Sequence, residues 1–198
     1  AGEYKESVYL AEYTINNQKD YILEELYKKK PDVLCFSCYI WNIDIVAGIS
    51  KEIHKIMPDV PIWLGGPEVS YDCNMQLKKY PWIKGIISGE GEVSFYELIN
   101  HYLAETVGNI KVGLNIPGLS DIKGIVYRED AVASGVDNIV TNPPRENMSM
   151  DDIPFPYTKD AGFDIDTLKN RIIYYETSRG CPYGCSYCLS SVDKKVRF

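Results

Sequence analysis

Residues 31–37 read Pro-Asp-Val-Leu-Cys-Phe-Ser, a short apolar run between a proline and a serine. Continuous runs of this length are typical of strands that are buried on both faces of a parallel sheet. Two further runs of this kind lie at residues 61–64 and 83–88. Helical spacing of apolar residues predicts helices around these runs, at 18–30, 42–57, 71–79 and 92–105. Strands that alternate with helices predict a parallel, doubly wound α/β sheet of the Rossmann or flavodoxin-like type.

The sequence outside this alternation predicts a different organisation. Dense prolines favour an extended linker, and runs of β-branched and aromatic residues favour strands. The predicted elements are a strand at 8–15, a hairpin of 122–128 and 136–141 with its turn at 130–135, a linker at 142–160, and a strand at 171–177. We therefore expect an α/β domain over 1–120, a hairpin and linker over 121–170, and the start of another domain over 171–198.

Composition limits the class of protein. The 198 residues are 45% hydrophobic and 25% charged, which is close to the average of globular chains and excludes wholesale disorder. The net charge of −7 argues against a protein that coats nucleic acid, because such a protein needs a basic face. No apolar run approaches the roughly 20 residues that span a bilayer, and no signal peptide is evident. We expect a cytoplasmic protein with no transmembrane segment.

Three cysteines near the C-terminus carry the strongest chemical signal. Residues 178–188 read Ser-Arg-Gly-Cys-Pro-Tyr-Gly-Cys-Ser-Tyr-Cys, which places Cys181, Cys185 and Cys188 on one short loop. Three thiolates leave a tetrahedral zinc ion one ligand short, and the spacing differs from that of ferredoxins. The same three thiolates on a [4Fe–4S] cluster leave one iron open to a substrate or cofactor. A zinc site with a remote ligand, or three free thiols, is the alternative.

The pattern C-x-x-x-C-x-aromatic-C, with Tyr187 as the aromatic residue, resembles the signature of radical S-adenosylmethionine (SAM) enzymes. The resemblance implies that the cluster's open iron chelates SAM and that an electron from the cluster cleaves SAM to a 5′-deoxyadenosyl radical. It also implies an electron donor and a small-molecule substrate as partners. A barrel domain needs about 200 residues, whereas only ten follow Cys188. We therefore expect an N-terminal part of a longer enzyme that contains only the barrel's first strand.

Three loops follow the predicted parallel strands, at residues 37–42, 65–70 and 88–92. Ligands of parallel sheets bind outside the carboxyl ends of the strands, and glycine lets a ligand approach the backbone closely. Each loop alone is also consistent with a tight turn or a helix cap. Together they predict one small-molecule site. Its candidate residues are Ser37, Tyr39, Gly65, Gly66, Pro67, Glu68, Gly89, Glu90, Gly91 and Glu92.

These loops, upstream of the cysteine pattern, resemble the cobalamin-binding domain of cobalamin-dependent radical SAM enzymes over about residues 30–105. Within that group they look most like anaerobic magnesium-protoporphyrin IX monomethyl ester oxidative cyclases, although methyl transfer fits the resemblance equally. The family's first strand and helix are not evident before residue 7. The D-x-H-x-x-G motif that supplies a cobalt ligand in other cobalamin domains is absent from the sequence. The resemblance therefore implies cobalamin bound without a protein histidine, and we interpret His54 and His101 as ordinary helix residues.

Two further cysteines belong to the first strand and its loop. We interpret Cys35 as a small core residue of a buried strand, and we expect Cys38 at the ligand-facing edge, where it would line the pocket. The competing interpretation of the whole chain is a flavodoxin-like ligand-binding or regulatory module that ends in an unrelated zinc or thiol loop.

Overall fold

The computed structural model describes residues 7–107, 116–129, 138–155, 157–158, 165–170, 173–188 and 195–198. The helices are α1 Lys19–Lys29, α2 Ile43–Ile56, α3 Pro67–Ser70, α4 Cys73–Lys79 and α5 Glu92–Val107. The strands are β1 Leu34–Ser37, β2 Ile62–Gly65, β3 Gly85–Ile87, β4 Ile125–Arg128 and β5 Ile139–Thr141. All of them match predicted elements except α3, a single turn in a predicted loop. Among the helices that the structure describes, none has the length and apolar character needed to cross a membrane.

The five strands form one sheet in the order β1-β2-β3-β4-β5. Strands β1, β2 and β3 are parallel neighbours, with Ser37 opposite Gly65 and Leu64 opposite Ile86. The predicted parallel α/β sheet is therefore confirmed. Strand β4 pairs antiparallel with β3, and β5 pairs antiparallel with β4. The predicted hairpin thus extends the same sheet, while its turn at 130–135 lies outside the described residues.

Side chains of β2 alternate between two hydrophobic cores, one on each face of the sheet. Ile62 and Leu64 pack in the larger core with α1, α2 and α4, and Trp63 packs in the smaller core under α5. Burial on both faces explains why the strand is apolar throughout. The smaller core consists of Trp63, Ile87, Leu98, Ile122, Ile125 and Tyr127.

Gly85 makes room for the largest side chain of this smaller core. A Cβ atom at Gly85 would lie 2.4 Å from the ring of Trp63, so no other residue fits beside the indole. The indole N–H then donates to the Tyr102 hydroxyl at 2.9 Å and fixes α5 over the sheet. The fold therefore needs glycine in β3 for packing.

The strand predicted at residues 8–15 is wrong. The described residues 7–14 have no strand, and Val8, Leu10 and Ile15 are exposed. The apolar pattern suits a strand, but backbone hydrogen bonds of a strand need a partner. None of the described strands pairs with this segment.

The chain divides into one compact unit of Tyr13–Glu146 and another of Ala1–Glu12 with Asn147–Phe198. The second unit has short 3₁₀ turns at Met150–Asp152 and Ile165–Leu168. Its one described β-bridge joins Arg179 to Arg197. The domain boundaries near residues 120 and 170 stay predictions.

The strand predicted at 171–177 is not seen in residues 173–177, and residues 171–172 lie outside the described part of the chain. A strand is stabilised by a hydrogen-bonded neighbour. No described segment pairs with residues 173–178, so the β-branched and aromatic pattern alone does not form one here.

The first residues of the predicted linker are held firmly in the first unit. The buried side-chain amide of Asn142 donates to the carbonyls of Leu119 and Ile122, each at 2.7 Å. The Arg145 guanidinium forms an ion pair with Glu97 and donates to the Ser94 hydroxyl at 2.8 Å. Residues 142–146 are therefore part of the α/β unit, although the prolines predict an extended linker.

Candidate functional site

The three predicted loops leave the same edge of the sheet. Because β1, β2 and β3 are parallel and in register, their carboxyl ends lie side by side. Residues 38–42, 66–70 and 88–91 follow these ends and lead into α2, α4 and α5. The structure therefore brings the candidate residues of all three loops to one edge, called here the loop edge.

The first and second loops are joined by main-chain contacts. The Cys38 N–H donates to the Gly65 carbonyl at 2.7 Å, and the Glu68 N–H donates to the Cys38 carbonyl at 3.3 Å. Gly66 has a φ of 99°, and a Cβ atom there would lie 2.6 Å from the Cys38 carbonyl oxygen. Glycine at this position lets the two backbones pass each other. A side chain at Gly66 would disrupt this crossing before it met any ligand.

Other glycines of the loop edge are less crowded than Gly66. Gly89 has a φ of 80°, and a Cβ atom built on it would meet nothing within 4 Å. At Gly65 and Gly91 a Cβ atom would make only ordinary contacts with Ile87, at 3.8 and 3.9 Å. At these three positions a ligand can approach the backbone closely.

A pair of exposed aromatic rings stands on the first loop. Tyr39 and Trp41 stack with ring centroids 4.5 Å apart and planes 11° apart, and Trp41 is 63% exposed. Asn42 holds the loop in shape. Its side-chain oxygen accepts from the Tyr39 N–H at 2.7 Å, and its amide group donates to the Ser37 carbonyl at 2.9 Å. The stack is a preformed apolar surface on the first loop of the loop edge.

The remaining predicted residues add carboxylates to the loop edge. Pro67 is exposed at the start of α3, and Glu68, next to it, is half-buried. Glu90 and Glu92 are half-buried as well, and Glu92 is the first residue of α5. Carboxylates accept hydrogen bonds, so this edge favours a ligand rich in N–H donors.

The core environment expected for Cys35 and the pocket-lining role expected for Cys38 are both wrong, although Cys38 does lie in the first loop of the loop edge, as expected. Cys35 has an exposed surface, because β1 is an edge strand and contributes no side chain to the smaller core under α5. The protein atoms packed around its sulfur nevertheless raise the pKa of the thiol to about 12. Cys38 is fully buried in the larger core, and its side chain does not line the loop edge. Burial raises the pKa of the Cys38 thiol to about 12, so it stays protonated at neutral pH.

The two histidines are ordinary helix residues, as expected from the sequence. His54 lies in the last turn of α2, the helix whose first turn follows the loop edge. His101 lies in α5, where its Nδ1 is 3.2 Å from the Pro117 carbonyl oxygen and its ring packs edge-on against Tyr102. Neither belongs to the three loops.

The cysteine segment, residues 173–188, is described within the second unit. Cys181, Cys185 and Cys188 are all half-buried, and the Cys188 N–H donates to the Cys185 carbonyl at 3.2 Å. Gly180 has a φ of 92°, which turns the chain just before the first thiol. Three soft thiol donors on one loop fit an iron–sulfur cluster chemically. Within the described residues, however, no three metal-binding side chains are gathered around one point.

Ser70 and Arg145 also contribute to this part of the structure, and neither is predicted from the sequence. The Ser70 hydroxyl lies 2.8 Å from the Gly66 carbonyl oxygen and 3.3 Å from the Gly89 nitrogen. Arg145 comes from a predicted linker and contacts the first turns of α5. Neither residue belongs to a motif. Only the serine's position, at the end of a glycine loop, offers a signal in the sequence.

Residues 2–99 match the B12 binding domain family. This part of the chain is a B12-binding domain. The loop edge lies within it, at the carboxyl ends where ligands of such sheets bind. The family and the parallel strands β1–β3 together confirm the predicted cobalamin-binding type of fold.

Longer proteins resemble nearly the whole chain. It is 29% identical over 188 residues to the cobalamin-dependent radical SAM methyltransferase TokK of Streptomyces tokunonensis, covering 95% of this chain and 25% of TokK. It is 28% identical over 165 residues to 2-(S-pantetheinyl)-carbapenam-3-carboxylate methyltransferase of Streptantibioticus cattleyicolor, covering 80% and 22%. It is 25% identical over 191 residues to anaerobic magnesium-protoporphyrin IX monomethyl ester cyclase of Rubrivivax gelatinosus, covering 95% and 32%. The chain therefore spans between 22% and 32% of the length of these three relatives.

Proposed function

We propose that this chain supplies the cobalamin-binding and cluster-binding part of a cobalamin-dependent radical SAM enzyme, of the methyltransferase or oxidative cyclase type. The observation that carries the proposal is the loop edge, where three loops of a B12-binding domain meet. The cysteine pattern of Cys181, Cys185 and Cys188 downstream supports it. So do relatives that are named as cobalamin-dependent radical SAM methyltransferase and as cyclase.

The residues of the loop edge fit cobalamin. The stacked rings of Tyr39 and Trp41 offer an apolar face to the planar corrin ring, and exposed aromatic faces favour such stacking. The free space at Gly89 admits the ligand to the backbone. The carboxylates of Glu68 and Glu90 can accept hydrogen bonds from the amide side chains that surround a corrin. When bound, cobalamin would supply a cobalt centre for methyl transfer or electron transfer.

The cysteine segment has the donor set for a [4Fe–4S] cluster. In this proposal Cys181, Cys185 and Cys188 each hold one iron, and the fourth iron is left for SAM. When bound, the cluster would supply the electron for SAM cleavage. A small-molecule substrate and an external electron donor complete the proposed system, which we place in the cytoplasm.

Titration with hydroxocobalamin, followed by gel filtration and cobalt analysis, tests the cobalamin half of the proposal. We expect one cobalt per chain in the wild type. A Gly89→Asn variant should lose most of it, because asparagine tolerates a positive φ but fills the space that the ligand needs. Gly184→Asn, which places the same side chain in open space in the cysteine segment, is the control and should bind normally. Absence of cobalt from the wild type, or equal cobalt in all three proteins, would contradict cobalamin binding at the loop edge.

Anaerobic reconstitution with iron and sulfide tests the cluster half independently. The wild type should bind about four irons and absorb near about 400 nm, as thiolate-bound clusters do. Replacing Cys181, Cys185 and Cys188 together by alanine should remove both signals. Replacing Cys35 and Cys73 by alanine should preserve them. Unchanged iron in the triple variant would show that these thiols do not hold the cluster.

A further inference from the structure

Ser70 connects the second and third loops of the loop edge. It is the last residue of α3 and is half-buried. Its hydroxyl oxygen lies 2.8 Å from the Gly66 carbonyl oxygen and 3.3 Å from the Gly89 nitrogen. Its own carbonyl accepts from the Ser88 hydroxyl at 3.2 Å. One serine thus contacts the two glycines with positive φ at this edge, Gly66 and Gly89.

The hydrogen bonds of this hydroxyl can be assigned from its chemistry. A serine hydroxyl has one proton to donate and lone pairs to accept with. The Gly66 carbonyl at 2.8 Å is a better acceptor for that proton than the Ile87 carbonyl at 3.5 Å. The Gly89 N–H then donates to the same oxygen. Ser70 therefore donates to the second loop and accepts from the third.

These contacts matter because no packing contact supports the side of Gly89 on which a Cβ would lie. No atom lies within 4 Å of the place where its Cβ would be, and glycine itself has wide conformational freedom. Ordering such a residue only when a ligand binds lowers affinity, since the entropy of ordering opposes binding. A loop that is already held before binding avoids this cost.

We propose that Ser70 is a positioning residue that holds the Gly66 and Gly89 loops in the arrangement that cobalamin binds. This inference rests on the proposed function. Ser70 does not have to touch the ligand, because it acts through the two glycines. Its role differs from ordinary stabilisation of the fold in that its loss should weaken ligand binding more than it lowers stability.

Ser50 offers a matched control within the same domain. Its hydroxyl also has two partners: it donates to the Ala47 carbonyl at 3.1 Å and accepts from the Trp82 indole N–H at 2.9 Å. Ser50 lies in the middle of α2 and is fully buried, away from the three loops. Removing its hydroxyl therefore removes the same number of hydrogen bonds at a position where no ligand is expected.

The experiment measures hydroxocobalamin affinity, the thermal unfolding midpoint and amide hydrogen exchange in the wild type, Ser70→Ala, Ser70→Thr and Ser50→Ala. We expect Ser70→Ala to bind about tenfold more weakly, the equivalent of about one charge-neutral hydrogen bond, with faster exchange at Gly89. Ser70→Thr keeps the hydroxyl and should restore both. Ser50→Ala should lower the unfolding midpoint and leave affinity unchanged.

The outcomes separate this inference from the proposed function. Normal affinity and unchanged Gly89 exchange in Ser70→Ala would overturn the positioning role alone. Equal losses of affinity in Ser70→Ala and Ser50→Ala would also overturn it, because the effect would then be general destabilisation. A wild type that does not bind hydroxocobalamin would contradict the proposed function and this inference with it.

Discussion

The loop edge and the cysteine segment both have a recognisable sequence pattern, yet their backbone contacts differ. At the loop edge, neighbouring parallel strands place three loops side by side, and the backbone of Cys38 bonds directly to the second loop. In the cysteine segment, the described residues form one turn from Cys185 to Cys188 and one β-bridge at Arg179. A site formed by backbone groups is complete once the sheet has folded. The geometry of a site formed by thiols depends on the ligand that those thiols bind.

The aromatic residues of the two regions differ in the same way. Tyr39 and Trp41 are stacked on each other over a loop that Asn42 fixes. Tyr183 and Tyr187 in the cysteine segment are exposed, and Tyr187 is 91% exposed. Exposed aromatic residues on a preformed loop can serve as a binding surface without further folding. We therefore expect ligand binding at the loop edge to need less rearrangement than cluster binding in the cysteine segment.

Replacing one glycine of each region by alanine should show the largest difference between the two regions, in the free energy of unfolding. Gly66→Ala should lower the free energy of unfolding by on the order of 3 kcal/mol, because its Cβ would collide with the Cys38 backbone at an unfavourable φ. Gly184→Ala should change it by less than about 0.5 kcal/mol, since a Cβ there meets nothing within 4 Å. Urea unfolding of both variants measures the difference. Similar stabilities would show that the crossing at Gly66 is not constrained as described.

Thiol reactivity should show the next largest difference. Burial raises the pKa of Cys38 to about 12 and also raises the pKa of Cys73. In metal-free native protein at pH 8, iodoacetamide should alkylate Cys181, Cys185 and Cys188 at least about a hundredfold faster than these two buried thiols, because the thiolate is the nucleophile. Mass spectrometry of the alkylated peptides checks the rates. Early modification of Cys38 would contradict its burial.

The same pKa shift has a consequence for stability at high pH. The unfolded chain begins to form the Cys38 thiolate near the ordinary value of 9.0, while the folded protein keeps the neutral thiol up to about 12. The contribution of this thiol to stability is therefore complete below pH 9 and is lost as the pH rises towards 12. Cys38→Ala should weaken this part of the alkaline loss of stability.

Removing one exposed aromatic ring from each region should give the smallest of these effects. Trp41→Ala should weaken hydroxocobalamin binding about tenfold, as expected for one stacking contact with its buried area. Tyr187→Ala should leave the affinity within about twofold. Both rings are exposed, so neither variant should change the unfolding midpoint by more than about 2 °C. Equal effects on affinity would remove the aromatic pair from the proposed site.

The parts of the fold that depend on local sequence could be predicted. The strands around Leu34, Ile62 and Ile86 are short apolar runs, and the helices between them indicate that the strands pair in parallel. The predicted strand at 8–15 has an equally suitable composition, but it has no partner among the described strands. Strand formation depends on pairing, which composition does not record.

The candidate site could be predicted down to its loops but not to the role of each residue. Gly66 and Gly89 are both glycines after parallel strands, yet one packs against the Cys38 backbone and the other faces free space. Cys35 is exposed and Cys38 is buried, the reverse of the expected burial, because no side chain of the edge strand β1 belongs to the smaller core. Ser70 acts through contacts across two loops. Such roles depend on tertiary neighbours, which no local pattern specifies.

Amide hydrogen exchange with and without hydroxocobalamin shows whether the loop edge binds cobalamin. We predict that bound ligand slows exchange in residues 37–42, 65–70 and 88–92, because these loops are closed off from solvent by the corrin. Residues 173–188 should exchange at the same rate with and without the ligand. Protection that concentrates in residues 173–188, or binding that leaves the three loops unprotected, would mean that cobalamin does not bind at the loop edge.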